Sequence, residues 1–344
     1  MDLSALSLPL LGIVFAGAAL VIGWFGIRLT READRLADAT GMGEALMGGL
    51  LLGGITSLPG ITASVTAAAA GHANLAVSNA LGGIAAQTAL LAIADMFYRK
   101  ANLEHAASSL SNMLQAALLI VLLAMPLLAM AGRNMSVLGI HPISLLLILA
   151  YGFGMRMVSR VRSRPMWKPR LTDETRPDQA APENVALRST KVMWIKCILF
   201  GGIIGFSGYV VAKAAAALSA QTGLSETFVG ALLTAICTSL PELVTSVAAV
   251  RKGALTMAVG GIIGGNCFDV LFLSFADFAY RDGSIYHAIN PHQIFLIALS
   301  ILLTGILLLG LLRREKHGIA NIGFESVLIL VLYLMGMGIL FFAG

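Results

Sequence analysis

Residues 56–59 read Thr-Ser-Leu-Pro, and residues 238–242 read Thr-Ser-Leu-Pro-Glu, so one tetrapeptide recurs after 182 residues. The same offset pairs further positions along the chain: Gly23 with Gly205, Gly26 with Gly208, Ser64 with Ser246, Gly82 and Gly83 with Gly264 and Gly265, Asp95 with Asp277, and Arg99 with Arg281. A constant register over this length indicates an internal duplication. The sequence therefore predicts two related halves.

The composition indicates a membrane protein. Of the 344 residues, 58% are hydrophobic and 12% are charged, and the mean hydropathy is +0.86. Soluble chains carry about 25% charged residues, so one water-soluble core could not hide all the apolar side chains. This excludes a secreted enzyme, a coiled coil, a disordered chain and a nucleic-acid-binding domain. Cys197, Cys237 and Cys267 lie in apolar stretches, and their spacing favours neither a disulfide nor a metal-thiolate site.

Ten windows are long and apolar enough to cross a membrane: 6–28, 42–69, 74–98, 106–131, 135–158, 192–219, 224–250, 255–279, 288–312 and 321–342. They form two sets of five, in residues 1–158 and 192–344, separated by a polar, proline-containing linker at 159–191. Because five is odd, the halves must enter the membrane from opposite sides. The predicted fold is an all-α integral membrane protein of ten helices in two inverted-topology repeats, an architecture typical of secondary transporters.

The basic residues predict the orientation. Most of the 23 lysines and arginines fall in alternate loops and above all in the linker 159–191. The positive-inside rule then places the linker in the cytoplasm and both termini outside. The chain begins without a basic segment, so the first helix is predicted to be retained rather than cleaved as a signal peptide. The basic linker is interpreted as a topology signal in preference to a site for lipid or nucleic acid.

The repeated segments contain groups that can bind a cation. A proline within a helix frees carbonyl oxygens at membrane depth, and the neighbouring threonine and serine supply hydroxyl oxygens. Only the second copy carries acids: Glu242 follows Pro241, and Asp269 ends the Gly-Gly-Asn-Cys-Phe-Asp of residues 264–269. Acids at this depth are costly and usually functional, and the nearest basic residues lie at the membrane surface. Hard oxygen ligands favour Ca²⁺, Na⁺ or a proton.

These motifs, duplicated in inverted halves, resemble the alpha repeats of the cation/calcium exchanger superfamily. The resemblance covers residues 48–99 and 230–281 and implies a transport site with no catalytic residue. The second repeat would supply carboxylate ligands from Glu242 and Asp269, hydroxyl ligands from Thr238 and Ser239, and a carbonyl ligand from Ala235. The first repeat would supply Thr56, Ser57, Gln87 and the carbonyl of Gly53.

The first repeat departs from the family pattern. Gly60 follows Pro59 where the family usually has its first acidic ligand, and Gly82-Gly83-Ile84 replaces Gly-Ser-Asn. Two carboxylates would give the site a charge of −2, one less than is common among sodium/calcium exchangers. We therefore expect exchange of one divalent for two monovalent cations without net charge movement, and weaker divalent binding. Gly60→Glu is expected to restore the third carboxylate.

The predicted function is secondary antiport of small inorganic cations, with Ca²⁺ exchanged for Na⁺ across the plasma membrane, by resemblance a bacterial inner membrane. No cofactor and no obligate protein partner are expected. The alternatives are a cation/proton exchanger and a divergent member with weakened or lost divalent transport. An intramembrane aspartyl protease is disfavoured, because it needs two aspartates that share a proton and one acid here is Glu242.

A second pair of acids, Asp95 and Asp277, lies four residues before Arg99 and Arg281 near predicted helix ends. Side chains four residues apart meet on a helix. Two intrahelical salt bridges are therefore predicted, in preference to a gate or a proton relay.

Overall fold

A computed structural model describes residues 3–40, 53–97, 101–167, 169–170, 172, 190–316 and 323–343. This part of the chain is almost entirely helical, and its one β-type pairing is an isolated bridge between Val137 and Ile140. Eight of its helices are long and apolar enough to cross a membrane, and a bent pair of helices adds a ninth. The all-α membrane fold is therefore confirmed.

The helices follow the predicted windows. In the first half they are α1 Leu8–Thr40, α2 Gly53–Thr56, α3 Leu58–Ala69, α4 Ala73–Phe97, α5 Leu103–Ala106, α6 Leu110–Ala131 and α7 Pro142–Ser163. In the second half they are α8 Thr190–Thr222, α9 Glu226–Phe228, a π-helical turn Val229–Thr234, α10 Ala235–Thr238, α11 Leu240–Lys252, α12 Leu255–Asp269, α13 Leu271–Ala279, α14 Ile285–Ala288, α15 His292–Arg313 and α16 Phe324–Ala343.

Two of the predicted windows differ from what is observed. The window 42–69 is only partly covered, because residues 41–52 lie outside the described residues, so a tenth crossing is not counted. The first helix was expected to end near residue 28, but α1 continues to Thr40. The charged residues after Arg28 end the apolar window without ending the helix, since arginine, glutamate, alanine and leucine are good helix formers.

The duplicated tetrapeptides break their helices at equivalent positions. Ser57 separates α2 from α3, and Ser239 separates α10 from α11, with backbone angles (φ, ψ) of −81°, 0° and −92°, 4°. In each case the proline is the second residue of the following helix, where its missing N–H costs no hydrogen bond. The two segments on either side of Ser239 are bent by 51°. The predicted interruption of both helices is confirmed.

The two halves are packed through crossed, equivalent contacts. Helix α1 of the first half lies against α11 of the second, and α8 of the second half lies against α3 of the first. A Cβ atom on Gly26 would lie 2.7 Å from the Cβ of Pro241, and one on Gly208 would lie 2.5 Å from the carbonyl oxygen of Pro59. These contacts are related by the offset of 182 residues, as a twofold-related repeat requires.

The third helix of each half forms the centre of the bundle. In the membrane-spanning window of α4, 89% of the residues are buried, against 78% for the window that comprises α12 and α13 and 17% for α1. Large apolar side chains on the outer helices are exposed, among them Leu20, Trp24, Phe153 and Phe206. Such side chains suit contact with lipid tails. Polar side chains on α4 and α12 are thereby enclosed by protein.

Candidate functional site

Asp269 joins the two halves at the centre of the bundle. Its side chain is buried, and its Oδ1 accepts a hydrogen bond of 2.6 Å from the Ser57 hydroxyl at the first helix break. Its Oδ2 accepts one of 2.9 Å from Nε2 of Gln87, which also lies 3.1 Å from the Ser239 hydroxyl at the second break. Four residues singled out from the sequence, two from each half, therefore form one network.

Glu242 lies in the first turn of α11, directly after the second break. It is buried, has the Thr56 side chain as a hydrogen-bonding partner, and is close enough to Asp269 for the two carboxylates to interact electrostatically. Its Oε2 has no hydrogen-bond partner. No ion pair found in the described part of the chain includes Glu242 or Asp269. Two buried acids without a basic neighbour form a site that a cation would stabilise.

Thr238 and Ala235 lie beside this pair but are engaged with protein groups. The Thr238 hydroxyl is 3.0 Å from the carbonyl oxygen of Thr234 and 3.2 Å from that of Ala235. The Ala235 carbonyl also accepts the backbone N–H of Ser239 at 3.0 Å. A carbonyl oxygen has two lone pairs, so Ala235 could ligate a cation only after one of these hydrogen bonds is released.

The remaining predicted ligand, Gly53, is the first residue of α2, three residues before Thr56. Its neighbour Gly54 lies against the Phe268 ring, since a Cβ atom there would be 3.3 Å from Cζ of Phe268. The Gly53 end of α2 is thus close to the aromatic residue that precedes Asp269.

Asn79 is a central residue that the motif analysis missed. Its Nδ2 donates to the Gly60 carbonyl oxygen at 3.2 Å and to the Ser64 hydroxyl at 2.9 Å, both on α3. Its Oδ1 lies 3.2 Å from the Thr238 hydroxyl on α10. Asn79 therefore ties the broken helices of both halves to α4. The repeat gave no signal for it, because its equivalent at the same offset is Gly261.

Other groups near the centre complete its polar lining. Asn266 donates to the Thr88 hydroxyl at 3.0 Å, while its Oδ1 has no partner. The three cysteines are free and buried, as the sequence predicted. Among the described residues, no group of three or more His, Cys, Asp or Glu side chains could hold a metal ion. The two acids and their hydroxyl and amide neighbours therefore remain the candidate cation ligands.

Asp277 does not form the predicted salt bridge. Helix α13 ends at Ala279, so Arg281 lies beyond the helix end and the four-residue spacing no longer brings the side chains together. The Asp277 carboxylate instead accepts the backbone N–H of Ile285 at 3.1 Å and that of His141 at 2.8 Å. The prediction for this pair was wrong, because it assumed a continuous helix.

Asp95 makes the equivalent contacts in the other half. Its carboxylate accepts the backbone N–H of Leu103 at 2.6 Å and that of Gly323 at 2.9 Å. These donors are related to those of Asp277 by the same offset, and each pair lies at the start of a short helix and just before a fifth helix. Arg99 lies outside the described residues. Both aspartates therefore anchor helix ends across the two halves.

Glu104, on the short helix α5, adds a titratable group to the Asp95 anchor. It accepts a 2.6 Å hydrogen bond from the Ser326 hydroxyl, and its Oε2 has no partner. Burial and, secondarily, the nearby Asp95 carboxylate raise the pKa of Glu104 to about 7, with a smaller contribution from Glu325. Glu104 is therefore more easily protonated in the folded protein than in the unfolded chain.

Replacement of Glu104 by glutamine is expected to stabilise the protein in a pH-dependent way. The folded state holds this proton more tightly, so the free energy of unfolding should fall as pH rises from about 4.5 through about 7. Glu104→Gln removes that loss and retains an acceptor for Ser326. Thermal unfolding in detergent should show a larger gain in melting temperature at pH 8 than at pH 5. An equal gain at both values would contradict the raised pKa.

Comparison with known proteins gives one family. The family described as "Sodium/calcium exchanger protein" matches residues 10–158 and 191–342. The putative antiporter CaxA of Alkalimonas amylolytica is 26% identical over 264 residues, which cover 75% of this chain and 76% of that protein. The sodium/calcium exchanger MaX1 of Methanosarcina acetivorans is 30% identical over 112 residues, 32% of each chain.

Two solved structures share the fold. The sodium-calcium exchanger NCX_Mj, soaked with Na⁺ and Sr²⁺, superposes with a TM-score of 0.60 at 16% identity, over 96% of this chain and 98% of that one. Native YfkE superposes with a TM-score of 0.64 at 15% identity, over 96% and 92% of the two chains. At this identity the likeness supports the architecture alone.

Proposed function

We propose a transport function from one premise: the chain belongs to the sodium/calcium exchanger protein family. As a membrane antiporter of that family, it would exchange Ca²⁺ for Na⁺ at a site formed by Glu242 and Asp269. One observation carries this proposal: Asp269 is held by Ser57 and Gln87 of the opposite half, while the Glu242 beside it has a buried oxygen without a partner.

The site chemistry suits a cation that binds and leaves. Carboxylate and hydroxyl oxygens are ligands for Ca²⁺ and Na⁺. The Ser57 hydroxyl has one proton and two lone pairs, so by rotating it can donate to Asp269 or offer its oxygen to an ion. Both helix breaks contribute to this network, one from each half. Rocking of the halves about the network would expose the ion alternately to the two sides of the membrane.

The charge of the site predicts its stoichiometry. Two carboxylates are neutralised by one Ca²⁺ or by two Na⁺, so a cycle moves no net charge. We expect Ca²⁺ flux in proteoliposomes to be unchanged when valinomycin and K⁺ gradients set different membrane potentials. An uncompensated charge would contribute about 2.3 kcal/mol per 100 mV. A flux that rises steeply with voltage would show that another charged group takes part.

Exchange against protons is the second candidate. Glu242 and Asp269 interact electrostatically, and the free Oε2 of Glu242 is a position where a proton can reside. Uptake of ⁴⁵Ca²⁺ into proteoliposomes, driven in turn by Na⁺ and by H⁺ gradients, separates the two. Uptake driven by Na⁺ supports sodium exchange, and uptake driven only by H⁺ supports the alternative. The relatives are named as antiporters and exchangers, which favours transport over the intramembrane protease.

We also propose the membrane arrangement: residues 1–158 and 192–344 as the two halves, the linker 159–191 in the cytoplasm, and both termini outside an inner membrane. Contacts of the linker support one shared face. His105, in the loop that follows α4, lies 2.9 Å from the Thr172 hydroxyl. Arg314, at the end of α15, donates to the carbonyl oxygen of Arg170 at 2.8 Å. The positively charged segments thus meet on the side assigned to the cytoplasm.

A further inference from the structure

The internal repeat assigns an equivalent to Glu242. At the offset of 182 residues this equivalent is Gly60, and each residue directly follows the proline of its tetrapeptide. The contacts of Asp95 and Asp277 obey the same offset, as do those of Gly26 and Gly208. The space beside Gly60 is therefore the counterpart of the space that the Glu242 side chain occupies.

An aromatic ring from the opposite half fills that space. A Cβ atom on Gly60 would lie 2.5 Å from Cε2 and 3.1 Å from Cζ of Phe272. The Phe272 side chain is buried and packs edge-to-face on Phe268, with ring centroids 6.4 Å apart. Since actual Cβ atoms do not approach other heavy atoms within 3.0 Å, any side chain at position 60 requires the ring to move.

Phe272 is also placed to border the cation site. It lies three residues after Asp269, and Val270 between α12 and α13 has helical backbone angles. Side chains three residues apart lie on the same face of a helix, so the ring is on the face that carries the Asp269 carboxylate. An aromatic ring offers no oxygen ligand, and a cation placed against it loses hydration without compensation.

We propose that Phe272 is a specificity-determining residue that occupies the counterpart of the Glu242 position and limits the site to two carboxylates. The ring thereby excludes a third monovalent ion and sets the exchange at one divalent for two monovalent cations. This inference rests on the proposed antiport. It also changes the expectation for Gly60→Glu, which cannot add a ligand while the ring is in place.

The transport experiment compares four proteins in potential-clamped proteoliposomes: the unmodified chain, Gly60→Glu, Phe272→Ala and the double variant. Gly60→Glu alone should lose at least tenfold in Ca²⁺ flux, since the new side chain has no room. Phe272→Ala alone should stay insensitive to voltage. The double variant should regain flux and become voltage-dependent by several-fold per 100 mV; about 50-fold is the limit for one elementary charge. Phe275→Ala, on the same helix, is the matched control.

A stability cycle keeps the contact testable if the glutamate variants do not fold. Gly60→Ala should lower the melting temperature of the unmodified protein but not of Phe272→Ala, so the two changes should be non-additive. Gly261→Ala, whose Cβ atom would meet nothing within 4 Å, is the control.

Three results would overturn the proposal. Additive stability changes would show that the ring does not fill the space beside Gly60. A folded double variant with voltage-independent flux would show that the ring does not set the charge of the site. Absence of cation flux in the unmodified protein would refute the proposed function and with it the specificity role. In that case the stability cycle would still report whether Phe272 and Gly60 are in contact, so the two failures can be told apart.

Discussion

Glu242→Gln and Asp269→Asn are each expected to reduce cation exchange at least a hundredfold. Each change removes one of two carboxylates that lie together and away from any basic side chain of the described residues. One remaining charge cannot neutralise a divalent ion. Because both acids serve one ion, the double variant should be no worse than either single variant, a strongly non-additive result. The measurement is ⁴⁵Ca²⁺ flux in proteoliposomes with equal amounts of protein.

Thermal unfolding separates loss of binding from loss of fold. Burial of two like charges is costly, so the neutral variants should unfold at the same temperature as the unmodified protein, or higher, without a cation. Ca²⁺ at 100 times its dissociation constant should add about 2.7 kcal/mol to the unmodified protein and nothing to the variants. Glu315→Gln, which removes a surface partner of Arg313, is the matched control. Flux at the unmodified rate in either single variant would contradict the site.

Gly26→Val and Gly208→Val are expected to prevent stable folding. At both positions a Cβ atom would overlap the proline-containing segment of the opposite half, at Pro241 and at Pro59 respectively. Neither proline segment can move away easily, because the break that positions it belongs to the central network. Overpacking of this kind costs roughly 3 kcal/mol. Size-exclusion profiles and melting temperatures in detergent should show loss of the folded, monodisperse species.

Two glycines on the same helices provide the controls. Gly17 on α1 and Gly202 on α8 face open space, since a Cβ atom at either position would meet no atom within 4 Å. Substitution by alanine there should be neutral or slightly stabilising, since alanine is the better helix former. If the valine variants at positions 26 and 208 were as stable as these controls, the crossed packing of the halves would be wrong.

The helices and the duplication could be predicted from the sequence because hydropathy and a constant offset are properties of the chain itself. The convergence of Ser57, Gln87 and Asp269 also followed from the repeat, since equivalent segments of inverted halves meet at their shared axis. The structure places the three side chains in contact through hydrogen bonds of 2.6 and 2.9 Å. Their role as cation ligands remains a prediction.

Contacts that depend on where helices end could not be predicted. The Asp277 salt bridge failed because α13 stops before Arg281, and no pattern in the sequence marks that end. The donors that replace it, at His141 and Ile285, come from chain segments that only the folded bundle brings together. Phe272 against Gly60 is a similar case, since its equivalent at the repeat offset is Leu90 and the duplication gives no hint of the contact.

The most direct test of the central claim is the anomalous diffraction of Sr²⁺, used as a heavy substitute for Ca²⁺, in crystals of the unmodified protein. The account predicts one strong peak between Glu242 and Asp269, with carboxylate oxygens of both at distances near the roughly 2.3–2.6 Å of calcium sites, and no such peak in Glu242→Gln. Strong peaks elsewhere and none at this pair, at concentrations that support transport, would contradict it.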